Sequence, residues 1–264
     1  MYAIYDKKKA RKRFGSILAR KLGWPVATPE SAGRTGPQLL VNWGCSEEPA
    51  PAHALVWLAN TPKSVAAMSH KLKMFRRFRN QGVPCLEWTR DIDTARMWAN
   101  EGGVYARTVL QGHSGEGIVR CTDANQVPEA PLYTKAVTGK FREYRVHFYG
   151  GEIISVQIKR RMSAEKMAQN NIVPPDEDTR SAVRVYKNGW VFCVNNVNLS
   201  DESKDICKAA MKAVGSQSGC VDILTQGNST KVIETNSAPA LRSPTVLSAY
   251  ADAIKKAHLI GNDN

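Results

Sequence analysis

One stretch near the C-terminal end, "CVDILTQGNSTKVIETN" (220–236), constrains this chain more than any other. It reads as a strand, a tight turn and a second strand. With the turn centred on Asn228, Asp222 lies directly opposite Glu234, and Asn236 shares the face of Glu234 because strand side chains repeat every two residues. Two carboxylates and an amide oxygen then converge. Like charges opposed across a ladder destabilise it unless something positive sits between them. Hard oxygen donors with no sulfur or imidazole beside them suit magnesium, which takes one or two carboxylates and fills its remaining positions with water and phosphate oxygens. A solvent-facing hairpin whose acids are merely hydrated satisfies the same spacing, and the pattern alone does not choose between the two.

Positive charge of the kind the acids require appears in "EYRVHFYGGEIISVQIKRR" (143–161), where Gly150 and Gly151 mark a tight hairpin. Alternation puts Arg145 and His147 on one face and Tyr144, Val146 and Phe148 on the other. In the return strand Gln157 and Lys159 oppose Val156 and Ile158. One face is therefore polar and cationic, and buried cations need anionic partners, either structural carboxylates or the phosphates of a ligand. A second element, "VYARTVLQGHSGEGIVRC" (104–121), reads as two strands around a glycine loop. Backbone N–H groups at Gly112, Ser114, Gly115 and Gly117 would be unobstructed there, and such a nest can hold phosphate oxygens, though an ordinary flexible hairpin fits the stretch equally well. Arg107 projects from the strand before it.

Around these pieces the chain alternates helix and strand. Ala3–Tyr5 reads as a strand, followed by a basic helix through Leu22 and a second strand in "PQLLVNWG". Between Ser64 and Gln81 the apolar residues Val65, Met68, Leu72, Phe75 and Phe78 recur at helical spacing, predicting one helix ended by Gly82. "VPCLEW" is a strand, Asp91 or Asp93 opens a helix over "DIDTARMWANEG", "LYTKAV" and "WVFCVNNVNL" are strands, Ser200 starts a helix to Val214, and Ser243–Pro244 starts the last. Residues 162–188 are long, polar and proline-bearing, as a functional lid or a disordered segment would be. The result is an α+β chain: a small α/β unit to about residue 60, a helical bridge, and a sheet-rich remainder.

The 264 residues, 42% hydrophobic and 23% charged, allow one large or two modest domains. No run approaches the roughly 18 to 20 apolar residues of a spanning helix, and the N-terminus lacks a signal-peptide core, so the expected setting is cytoplasmic, with no membrane partner. Six cysteines spread singly argue against a zinc site or a disulfide scaffold. With 37 basic and 24 acidic residues the formal charge is +13, which favours an anionic partner. "KKKARKR" (7–13) keeps nucleic acid open as a secondary partner, although no aromatic residues interleave to form a stacking platform.

Four segments in order, "SHKLKMFRRFRNQGVPCLEWT", "VYARTVLQGHSGEGIV", "LYTKAV…REYRVHF…IKRR" and "GCVDILTQGNSTKVIETNSAPAL", resemble the ATP-grasp family over roughly residues 60–242. The likeness is to the branch of the ribosomal-protein glutamate ligases and their phage-encoded relatives. It implies an ATP-grasp fold with two α+β subdomains clamping ATP: an N-terminal pre-ATP-grasp domain over 1–60, a small subdomain with the glycine loop over 61–130, and a C-terminal subdomain with the metal site over 131–264. By the same resemblance Lys71 and Arg107 reach the nucleotide phosphates, Arg107 standing where the family has a lysine. Its bulkier fork alters the phosphate pose. His113, Ser114, Gly115 and Gly117 form the lid, Lys135, Ala136 and Val137 the adenine hinge, and Glu143 holds the ribose. Arg145 contacts the γ-phosphate and, with Lys159, is the catalytic candidate, while Asp222, Glu234 and Asn236 hold Mg2+.

The reaction implied is ADP-forming carboxylate–amine ligation through an acyl phosphate, on an acidic peptide or protein acceptor with a separate amine donor. An ATP-grasp kinase, a protein that binds ATP without ligating, and a nucleic-acid-binding protein are the competing readings. Neither acceptor, amine nor oligomeric state is legible.

Overall fold

The computed structural model describes residues 1–34, 36, 38–50, 54–112, 115–173 and 184–258. Three sheets organise them. The first has the order β2-β1-β3-β4, all parallel, from β1 (Tyr2–Tyr5), β2 (Val26–Ala27), β3 (Gln38–Asn42) and β4 (Leu55–Ala59). Helix α1 (Phe14–Leu22) follows β1 and buries Leu18, Ala19 and Leu22.

The basic run 7–13 lies outside that helix, contrary to the reading from sequence. Its last residue, Arg13, turns back to grip Asp6 with Nε at 3.1 Å and Nη2 at 2.5 Å, and the helix begins only after it. A nearly buried carboxylate needs that partner more than the helix needs another turn.

A single helix over 64–81 is likewise not what forms. α2 (Pro62–Ser69) is capped by the Thr61 hydroxyl, α3 (Lys71–Asn80) follows, and His70 between them is extended at φ −94°, ψ 103°. The His70 ring accepts from Lys73 N–H at 3.4 Å, opening α3 afresh. The apolar spacing survives the break because both helices bury their stripes in one core: Met68, Leu72, Phe75 and Phe78 meet Val146, Phe148, Val221 and Ile223. The break matters because it makes Lys71 the first residue of a helix, with its backbone N–H donating to Leu110 O at 2.9 Å.

The central sheet, β11-β10-β9-β12-β13, contains β9 (Arg142–Tyr149), β10 (Glu152–Arg161), β11 (Trp190–Cys193), β12 (Gly219–Gln226) and β13 (Ser229–Asn236), all antiparallel. Gly150 and Gly151, at φ 61° and 83°, form its first hairpin turn, a conformation only glycine adopts freely. One face packs on α3 and on α6 (Asp201–Val214), whose N-cap is Ser200 as its position before two acids predicts.

The third sheet, β5-β8-β6-β7, comprises β5 (Trp88–Thr89), β6 (Val104–Arg107), β7 (Ile118–Cys121) and β8 (Leu132–Lys135), backed by α4 (Ile92–Glu101), which Asp91 caps. "VPCLEW" supplies only Trp88 to this ladder. The rest of it crosses between sheets, with Leu86 N–H on Val232 O at 3.1 Å and Lys135 N–H on Glu87 O at 2.9 Å.

Within the expected loop 162–188, α5 (Ala164–Gln169) forms with Ser163 as its cap, and residues 174–183 lie outside those described. The last helix, α7 (Pro244–His258), returns to the first sheet. Tyr250 meets Trp43 edge to face at 5.0 Å, and Tyr2 Oη donates to His258 O at 2.9 Å. No helix among the described residues is long and apolar enough to cross a membrane.

Candidate functional site

Asp222 and Glu234 are cross-strand partners, but not through a turn centred on Asn228. The ladder closes with Gln226 opposite Ser229, so a regular register would set Asp222 against Ile233. A bulge between Asp222 and Ile223 takes up one residue and brings Glu234 into that place. The pairing is thus a built feature of the strand.

On the other side of β12, Arg145 of β9 pairs with Asp222, and Gln157 of β10 pairs with Arg145. Gln157, Arg145, Asp222 and Glu234 therefore form one row across four strands. Arg145 grips Asp222 with both Nε and Nη2 at 2.8 Å, and lies over the Phe192 ring at 4.1 Å. Lys71, from the re-started helix, reaches Glu234 Oε2 at 2.5 Å. Each acid has its own cation, which is how the sheet tolerates two carboxylates side by side.

The electrostatics follow from those contacts. Burial alone pushes the Glu234 carboxyl up, but the Lys71 ammonium, with Arg107 and Arg145 behind it, outweighs burial and holds it at about 2. Burial also works against the Arg145 guanidinium, and the Asp222 charge more than reverses this, raising its pKa above the usual arginine range. Lys159 pairs across the same sheet with Glu143 Oε2 at 2.5 Å.

Arg107, at the end of β6, is buried with its Nε unpartnered among the described residues. Burial lowers its pKa, and Glu234 counters that only in part. Two further arginines, which sequence reading missed, also bury their Nε atoms. Arg120 is the cross-strand neighbour of Tyr105 on β7, and Arg184 stacks over Phe141 at 3.8 Å with Glu143 Oε1 at 3.5 Å. The Arg120 Nε is buried with no hydrogen bond among the described residues, and the Arg184 Nε, also without a hydrogen bond, has Glu143 Oε1 as its ion-pair partner. An unmet buried donor costs about 1–3 kcal/mol, so those of Arg107 and Arg120 are a standing demand for acceptor oxygens. The hairpin register of 104–121 could have revealed Arg120, whereas nothing local marks Arg184.

Other sequence candidates are placed as follows. Gly115 and Gly117 have φ of 84° and 66°, and Gly117 O accepts from Thr108 N–H at 2.8 Å, so this part of the loop folds back on β6. A Cβ on Gly117 would come within 2.8 Å of Val109. His113 and Ser114 lie outside the described residues. The Lys135 ammonium is drawn to Glu101 at 2.7 Å, and Ala136 N–H donates to Gly103 O, while Val137 packs against the central core. Asn236 Oδ1 accepts from Ala238 N–H at 2.9 Å, leaving it a second lone pair.

His147 is on the same face as Arg145 but fully buried, between Gln157 Oε1 at 2.8 Å and Tyr250 Oη at 3.2 Å. Burial, with Arg145 adding to it and the Gln157 bond opposing, depresses its pKa to about 3. Because a free imidazole titrates near 6.5, between those values only the unfolded chain takes up the proton. Stability is therefore full above about pH 6.5 and declines as pH falls, by up to about 1.4 kcal/mol per unit. Urea unfolding at about pH 5 is expected to give some 2 kcal/mol less than at pH 7, with the slope relieved in His147→Gln. Equal slopes in the two proteins would contradict this account.

No protein-family model and no curated protein matches the sequence. Solved structures do match. The ATP-grasp ligase PsnB, complexed with a phosphomimetic variant of minimal precursor, Mg and ADP, aligns with TM-score 0.64 and 14% identity over 97% of this chain and 98% of that one. D-alanyl-alanine synthetase A from Vibrio cholerae O1 biovar eltor str. N16961 gives TM-score 0.60 and 13% identity over 97% and 96% of the two chains. A RimK domain protein ATP-grasp from Sphaerobacter thermophilus DSM 20745 gives TM-score 0.60 and 10% identity over 96% and 98%. Against PsnB complexed with minimal precursor alone, the match covers 78% of this chain but 64% of that one, at TM-score 0.52 and 18% identity.

Proposed function

We infer that this chain, which has the ATP-grasp fold, is an ATP-dependent ligase that joins a carboxylate to an amine and releases ADP. The observation that carries the reading is the row of Arg145, Asp222 and Glu234 closed by Lys71, with the unmet Nε of Arg107 nearby. Paired acids with a further buried cation beside them suit a metal–triphosphate pair. The solved PsnB complexes with Mg and ADP agree with it.

The donor set fits magnesium: two hard carboxylates on one row, one held ionised, and an amide oxygen one step along the strand. Asp222, Glu234 and Asn236 would hold the ion. When bound, it neutralises charge on the transferring phosphoryl group. Lys71 and Arg107 would take phosphate oxygens, Lys71 exchanging its carboxylate partner for them. Arg145, fixed by two bonds to Asp222, would stand at the γ-phosphate, and Lys159 beside it. Glu143 would hold the ribose, Lys135 to Val137 would line the base, and His113, Ser114, Gly115 and Gly117 would cover the phosphates and keep water out. The working units are the N-terminal domain over 1–60, the small subdomain over 61–130 and the metal-bearing subdomain over 131–264.

In this scheme the acceptor carboxylate attacks the γ-phosphorus, ADP leaves, and the amine attacks the acyl phosphate to form the amide with release of phosphate. The charge of +13 favours an acidic peptide or protein as acceptor, in the cytoplasm where ATP is supplied. Mass spectrometry of a reaction containing ATP, Mg2+, a glutamate-rich peptide and an amino-acid mixture is expected to show ADP together with an amide-linked product. A phosphorylated peptide would mean a kinase, and no ADP under any acceptor would end the ligase reading.

A further inference from the structure

Helix α3 carries a second concentration of positive charge that the row of acids does not use. Its last turns and the β5–α4 turn enclose a cleft of about 600 Å³ lined by Arg76, Arg79, Asn80, Trp88, Arg90 and Asp91. Lys71 and Arg79 are separated by eight residues of helix, about 12 Å, so the cleft and the acid row sit at opposite ends of α3.

Two of the arginines along this helix have structural work. Arg77 donates to Val214 O at 3.0 Å and closes the C-terminal end of α6. Arg79 lies flat on Trp88 at 3.8 Å and donates to Trp88 O at 3.3 Å. Arg76 and Arg90 have neither role, and the nearby acids are engaged elsewhere. The Asp91 carboxylate caps α4 through Thr94 N–H and Oγ1, Asp93 pairs with Arg96 at 3.1 Å, and Glu87 faces Lys231 at 3.6 Å. Among the described residues, then, Arg76 and Arg90 face a concave surface without an ion-pair partner, next to a guanidinium already held rigid.

The geometry points to this cleft as a docking site for an acidic peptide segment, its carboxylates taken by the Arg76, Arg79 and Arg90 forks. Guanidinium forks match carboxylates two bonds at a time, and Arg79 is pre-oriented by its stacking. Nucleic acid is the weaker occupant. Among the described residues Arg79 already occupies one face of Trp88, the one aromatic ring that lines the cleft, so no row of open rings is present on which successive bases could stack. The site stands independently of the ligase reading, since peptide would bind without nucleotide.

The test is anisotropy of a fluorescein-labelled peptide of alternating glutamate and glycine, titrated with the full chain in the absence of ATP. Arg76→Gln with Arg90→Gln is expected to weaken binding by about tenfold or more. Lys8→Gln with Lys9→Gln removes the same charge from the exposed N-terminal loop and should leave binding little changed. Three results would overturn the proposal: no binding by the unaltered chain, equal weakening by both pairs, or displacement of the peptide by an oligonucleotide of matched charge whose own affinity falls in the arginine pair. Because no ADP is measured, failure here leaves the ligase reading untouched, and loss of ligase activity would not affect this one.

Discussion

Glu234→Gln is expected to reduce magnesium-dependent ADP release by about 100-fold or more, a loss of about 2.7 kcal/mol of transition-state stabilisation. Glutamine keeps the shape of the side chain and removes its charge, so what disappears is the anionic donor that pairs with Asp222 across the bulged ladder. The substitution has a second consequence. Lys71 is nearly buried against Glu234, and its ammonium would face a neutral amide, lowering stability by about 1–3 kcal/mol. Adding Lys71→Met removes the orphaned charge and should restore most of that stability while activity stays lost. Thermal melts report the one effect and coupled ADP assays the other. Turnover within experimental error of the unaltered chain, at saturating magnesium, would refute the metal assignment.

Arg145→Met should produce the largest loss of stability of any single change in the cleft. The guanidinium makes two 2.8 Å bonds to Asp222, and neither partner's side chain is more than 14% exposed. Removing one member of such a pair strands a carboxylate in the sheet, which costs roughly 3–5 kcal/mol. For a chain of this size that is a melting temperature lower by roughly 10 °C. Asp222→Asn in the same background deletes the stranded charge and is expected to recover half of the loss or more. If the single variant melts within a degree or two of the parent, the pair is not holding the sheet together. On the proposed mechanism activity should vanish in both variants, since no guanidinium would be left at position 145 to meet the phosphoryl group.

Much of this was legible before any coordinates. The hairpin at Gly150–Gly151, the Ser200 cap, the Asp91 cap and the alternation placing Arg145 opposite Tyr144 are local matters, governed by a few neighbouring dihedrals and hydrogen bonds. The opposition of Asp222 and Glu234 was also readable, though its cause was not. A turn centred on Asn228 and a turn one half-step earlier followed by a bulge give the same pairing, and only the register distinguishes them. The break at His70 was hidden for a related reason: two short helices burying one stripe repeat apolar residues much as one long helix does.

Periodicity, capping residues and turn chemistry in the sequence by themselves determined most of the helices and strands and the faces they bury, but not the start of the first helix, the break at His70 or the course of 83–87 between sheets. They also determined that carboxylates and cations share a sheet surface. Only the tertiary structure decided which cation meets which acid. Lys71 and Glu234 are 163 positions apart, and Arg184 reaches Glu143 from beyond β10. It also decided that α7 closes over Trp43, just past the end of β3. Such contacts depend on how packed layers settle against one another, where burying apolar area and meeting buried charge select among many locally equivalent arrangements.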